Sequence, residues 1–176
     1  MRESELSFVD ERLKSAPIDV VGIIKELGVK YEESPLAPGV DGRIDFDGSD
    51  YKITVNSEQS QQRRNFTAAH ELEHYLLHRD LLEERGHLDR LFDAPGRQGP
   101  AKPISPSHEA QANKLAVQML MPRQAILNEM VWQDYDLAKI ARMFVVSPEA
   151  MEIRLKTLGI DLNHERSQKQ KQAVRA

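Results

Sequence analysis

Histidines stand at positions 70 and 74 in the run Ala69-His70-Glu71-Leu72-Glu73-His74, with Glu71 directly after the first. On an α-helix, residues i and i+4 share a face one turn apart, so these two imidazoles can reach one metal ion. Glu71 stands where a general base could take a proton from a metal-activated water. Together the three residue types meet one chemical need, the activation of water to attack an amide. The plain alternative is a surface helix that carries His and Glu for solubility. Phe66, Ala69, Leu72, Leu76 and Leu77 argue against it, because apolar residues at helical spacing predict a largely buried helix. Buried imidazoles and a buried carboxylate need partners, and a shared cation supplies them at once.

A catalytic zinc takes three protein ligands and keeps a fourth position for water. His78 is nearest in sequence, but on a straight helix it lies two turns from His70, roughly 12 Å along the axis. It is read instead as a packing or hydrogen-bonding residue. His87, Asp89 and Asp93 remain open as ligands. Glu109 is the best candidate, near the start of a helix Glu109-Ala110-Gln111-Ala112-Asn113-Lys114-Leu115-Ala116. Ala112 and Ala116 would let that helix approach the first closely. Asn113, one turn on from Glu109, could orient a ligand. His108 competes from the neighbouring position but points about 100° away round the helix.

The elements that must hold these residues are legible in outline. The chain has 176 residues, 40% hydrophobic and 30% charged, enough apolar material for a core in one domain with a small appendage. A net charge of −4 gives no sign of whole-protein affinity for nucleic acid. Without cysteine, neither a disulfide frame nor a thiolate zinc site is available. Met1-Arg2-Glu3-Ser4-Glu5 lacks the apolar core of a signal peptide, and no stretch approaches membrane-spanning length, so the cytoplasm is the expected address with no membrane partner.

Ile18, Val21, Ile24 and Leu27 predict a helix stopped by Gly28. Arg43–Phe46 and Tyr51–Val55 read as strands of a hairpin turning at Asp47-Gly48-Ser49-Asp50. The motif helix is expected over about 58–79 with Ser57 as its cap. Residues 86–107, rich in Pro and Gly, read as a long surface loop. Helices are expected from 107 to 120, after Pro122, at 136–144 and at 148–158. The polar tail from Asp161 is expected to be without fixed structure.

Arg64-Asn65-Phe66-Thr67-Ala68-Ala69-His70-Glu71-Leu72-Glu73-His74-Tyr75-Leu76-Leu77-His78 closely resembles the signature of the ImmA/IrrE-type metallo-endopeptidases. So does Glu109-Ala110-Gln111-Ala112-Asn113 running on to Leu120-Met121-Pro122, and Ile53-Thr54-Val55-Asn56 looks like that family's strand before the motif helix. More loosely, the likeness extends from about Pro17 to Leu158. It implies an α+β, mostly helical, zincin-like domain over 1–131 with a small antiparallel sheet. A helix-turn-helix-like subdomain over 132–160 and a disordered tail over 161–176 complete the expected layout. It further implies a gluzincin-like site with His70, His74 and Glu109 on Zn2+ and Glu71 as base. Asn113, Tyr75 and His78, with Tyr51, are then candidates to orient a ligand or stabilise the oxyanion. One departure stands out: Glu73 occupies the position before the second histidine where the family usually has glycine.

Family members typically cleave a helix-turn-helix repressor, often encoded beside them, and so relieve repression of mobile-element or stress-response genes. The leading expectation is therefore a cytoplasmic zinc endopeptidase acting on such a repressor. One alternative is a weakly catalytic or non-catalytic anti-repressor that sequesters it. A second is a DNA-binding regulator using the helix pair at 136–158. Against that last reading, Pro148-Glu149-Ala150-Met151-Glu152 opens the second helix with carboxylates that phosphates would repel. A structural or protein-docking role is favoured for the pair.

Overall fold

The structure, a computed structural model, describes residues 2–14, 16–85, 87–89 and 105–173. It falls into two compact units, Met1–Arg12 with Asp19–Leu120, and Leu13–Ile18 with Met121–Ala176. The break after Leu120 lies upstream of the one expected at residue 131, so the helix that follows Pro122 groups with the C-terminal unit.

The first unit runs α1 (Arg2–Arg12), α2 (Val20–Glu26), β1 (Lys30–Ser34), β2 (Gly42–Phe46), β3 (Tyr51–Asn56), α3 (Gln61–Leu77), α4 (Arg79–Arg85), β4 (His87–Asp89) and α5 (Pro106–Leu120). Asp19 caps α2 by accepting from Gly22 N at 2.8 Å, and Gly28 follows its end at φ +78°, as the Gly28 stop requires. The expected hairpin forms. Asp47 Oδ1 accepts from the amides of Ser49 and Asp50 and from the Ser49 hydroxyl, which closes the turn and holds its carboxyl down at about 2. The sheet order is β1-β3-β2-β4. Two pairings are antiparallel, but β1 joins β3 in parallel, so the sheet is mixed rather than antiparallel throughout.

The sheet exists, for this site, to seat α3. Ile44 and Ile53 pair across β2 and β3 and, with Val55, are fully buried, as are Ala68, Ala69 and Leu72 of α3. Gly42 permits the close approach: a Cβ there would stand 2.3 Å from Thr67 Cγ2 and 3.0 Å from the carbonyl oxygen of Thr54. The entry into α3 is also fixed. Buried Asn56 donates from Nδ2 to Val40 O at 3.0 Å and accepts Glu58 N at 3.1 Å. Buried Asp41 takes Arg63 Nε at 2.9 Å and Gln59 Nε2 at 2.8 Å. The helix begins three residues later than expected, because Ser60 rather than Ser57 accepts its first-turn amide, Arg63 N, at 3.3 Å. α5 packs against α3 with Ala112 and Ala116 fully buried. Of the loop expected over 86–107, residues 86 and 90–104 lie outside the described residues, while β4 and the start of α5 occupy the rest.

The second unit holds α6 (Arg123–Trp132), α7 (Leu137–Met143), α8 (Pro148–Leu158) and α9 (Leu162–Ala173). Asp136 caps α7 and Ser147 caps α8, whose first residue is Pro148. Ile140, Phe144, Met151 and Leu155 form the core of this helix pair. Contrary to expectation, the polar tail is helical. Asp161 caps it by accepting from Asn163 N, and Glu, Arg, Gln and Lys are strong helix formers. Among the described residues no helix is long and apolar enough to cross a membrane.

Two substitutions test these constraints. Gly42→Ala should cost about 1–3 kcal/mol by forcing β2 off α3, seen as a lower urea midpoint. Val145, in the α7–α8 turn, holds φ +53°, a conformation β-branched residues rarely adopt. Val145→Gly should therefore stabilise the protein by roughly 1 kcal/mol, read as a raised melting temperature.

Candidate metal centre

Ten consecutive residues of α3, Thr67 to Leu76, are buried, and they carry the whole H-E-x-x-H run into the interior. His70 and His74 are almost fully covered and their Nε2 atoms lie 2.9 Å apart. Glu109, in the first turn of α5, points its carboxylate at both. Its Oε2 is 3.2 Å from His70 Nε2 and its Oε1 is 3.5 Å from His74 Nε2. His70, His74 and Glu109 thus present one donor atom each, all within 4.8 Å of one another.

Two nitrogens and an oxygen of this kind are what zinc takes in hydrolytic sites. The two imidazole nitrogens stand 2.9 Å apart, each with one oxygen of the Glu109 carboxylate at 3.2 or 3.5 Å, close to the ~3.3 Å between ligand atoms about a tetrahedral zinc. The residues fit a divalent cation. Burial by itself would raise the Glu109 pKa, but the hydrogen bonds and charges of His70 and His74 outweigh it and hold the carboxyl at about 2. Burial, aided by neighbouring imidazoles, lowers the pKa of His74. Both ligands are therefore in their metal-binding protonation states at neutral pH.

Behind the ligands stand further hydrogen bonds. His70 Nδ1 lies 3.0 Å from Asn113 Oδ1, so Asn113 orients this ring from α5. His74 Nδ1 lies 3.0 Å from His78 Nδ1, and His78 Nε2 is 3.4 Å from Gln111 Oε1. Glu71 is 2% exposed, its Oε1 enclosed, beside the first ligand on α3.

The structure separates the remaining candidates. Tyr75 donates from Oη towards Glu5 at 3.4 Å, and Arg79 lies 3.9 Å over its ring while bonding Glu5 at 2.9 Å. Tyr51 donates to Glu83 at 2.7 Å. Both tyrosines are thus engaged with α1 and α4, and neither is brought to the three ligands. His108 does not join the ligand cluster either; its ring packs 4.6 Å from that of His78. His87 and Asp89 stand on β4, and Asp93 lies outside the described residues. Gln111 carries no signal in its spacing to the motif. The signal for His78 lies in its i+4 spacing to His74 rather than in its distance from His70.

The family model for the IrrE N-terminal-like domain, Peptidase_M78, matches residues 24–156. No curated protein matches the chain.

Glu73 is 7% exposed, and burial raises its pKa from 4.5 to about 7. With the folded value above the unfolded one, its contribution to stability is complete below pH 4.5 and is lost as pH rises through 7. The lowered pKa values of His74 and His78 act in the opposite sense as pH falls below 6.5, so the comparison must be with a variant. Glu73→Gln should gain on the parent as pH rises, by about 3 kcal/mol above pH 7. Urea unfolding of both metal-free proteins at about pH 5 and about pH 8 measures the gap. An unchanging gap would refute the assignment.

Proposed function

Because the chain belongs to the IrrE N-terminal-like peptidase family, we propose that it is a zinc-dependent endopeptidase of the cytoplasm. Its proposed substrate is a helix-turn-helix transcriptional repressor, and cutting it would release mobile-element or stress-response genes. The observation that carries the reading is the convergence of His70, His74 and Glu109 on one point, with a buried Glu71 directly after the first histidine on the same helix. Zinc held there supplies Lewis acidity, which lowers the pKa of water to about 7 and polarises a carbonyl. Glu71 takes the proton of the attacking water and hands it to the leaving amine. Asn113 keeps the His70 proton on Nδ1, which would leave the Nε2 lone pair available to hold a cation. The burial of His70, Glu71 and His74 lowers the local dielectric and strengthens each of these interactions.

The exposed face of α8 presents Glu149, Glu152, Ile153 and Lys156, with Lys156 tied to Glu152 at 2.9 Å. That face suits a protein partner better than DNA, whose phosphates would meet two carboxylates. A second reading, sequestration of the repressor without cleavage, is favoured by Glu73, a buried acid directly before a ligand.

Incubation of the purified chain with a helix-turn-helix repressor, with zinc or with chelator, distinguishes the two. Zinc-dependent cleavage supports the peptidase, whereas binding without cleavage supports sequestration. Glu71→Gln should keep its zinc and lose on the order of 10²–10⁴ in cleavage rate. Cleavage by that variant at the parent's rate would end this mechanism.

A further inference from the structure

We infer that His78 is a positioning residue for the ligand His74. It accepts the His74 Nδ1–H on its own Nδ1 and so fixes the tautomer that leaves the His74 Nε2 lone pair to the cation. The inference rests on the metal-centre reading above and extends it to the residue that gives the second imidazole its orientation.

The geometry is specific. Two Nδ1 atoms 3.0 Å apart can bond only if one donates and the other accepts. Were His78 the donor, His74 would carry its proton on Nε2, aimed at His70 Nε2 only 2.9 Å away, and no cation could enter. With His74 as donor every atom finds its role. His78 then carries its own proton on Nε2, which faces Gln111 Oε1 at 3.4 Å, a longer bond at the solvent edge. His78 is itself held twice. α3 ends at this residue, whose backbone N–H bonds His74 O at 2.8 Å while its carbonyl accepts the amides of Leu81 and Leu82. Its i+4 spacing is thus the reason a histidine two turns from His70 still serves the centre: it acts one turn back, on His74. Its side chain is 7% exposed, so water does not readily substitute for it. Asn113 performs the same task for His70, and each ligand ring thereby has its own acceptor.

The test uses zinc itself and the full chain. Zinc affinity is measured by competition with a chromophoric chelator for the parent, His78→Phe and His78→Asn. Phenylalanine keeps the bulk and removes the acceptor, while the asparagine Oδ1 stands on Cγ where the imidazole has Nδ1. His78→Phe should weaken zinc binding 10–100-fold, and His78→Asn should recover most of the loss. Nitrogen-15 NMR of the imidazoles in the zinc-loaded parent should place the protons on His74 Nδ1 and His78 Nε2. Parent-like affinity in His78→Phe, no recovery in His78→Asn, or a proton on His78 Nδ1 would each overturn the inference. If His78→Phe does not fold, the NMR measurement decides alone. A parent that binds no zinc would remove the metal-centre reading and this inference together, whereas tight zinc binding with an indifferent His78→Phe would remove only the inference.

Discussion

Two buried imidazoles and the part-exposed carboxylate of Glu109 meet at one point, and a divalent cation there would draw on the lone pairs of all three. The Nε2 atoms of His70 and His74 and the carboxylate of Glu109 lie within 3.5 Å of one another. A protein does not gather lone pairs in its interior without compensation, since each loses its hydration there. A divalent ion satisfies all three at once. Much of the first unit can be understood as the means of holding these atoms together.

Two helices do most of the holding. α3 is pressed on the sheet through Gly42 and Thr67 and anchored at its start by Asp41 and Asn56, so its buried histidines cannot rotate away. α5 contributes a ligand, a ring acceptor and a more distant amide from Glu109, Asn113 and Gln111. Ala112 and Ala116 make that approach short enough for a carboxylate to reach an imidazole. The precision of the centre comes from elements of regular structure, where side-chain positions are best defined.

Local signals were the legible ones. The i+4 histidines, the turn chemistry of Asp47-Gly48, the Gly28 stop and Pro148 after Ser147 each act over a few residues, and each is present as expected. What escaped was set by distance in sequence. β1 (Lys30–Ser34) is polar, and its strand character comes from parallel pairing with β3, which no local pattern encodes. Tyr75 and Tyr51 looked available for the centre until Glu5 and Glu83, from other helices, took their hydroxyls. The Ser57-to-Ser60 shift arose because Asn56 and Asp41 occupy the intervening residues with their own hydrogen bonds. In α9, a capped run of good helix formers outweighs the polar composition that suggests an unstructured tail.

Glu109 arrives from far along the chain, across the whole stretch that separates α3 from α5. Any ion gripped by these side chains is therefore also a removable cross-link between two helices distant in sequence, added to the packing of Ala112 and Ala116 and to the Asn113–His70 bond. Closing a link between residues so far apart in sequence carries an entropic cost which grows only slowly with their separation. Occupancy and folding of α5 are then thermodynamically coupled. Scarcity of the ion would be felt first as a loosening of one helix rather than as an intact scaffold with an idle catalyst.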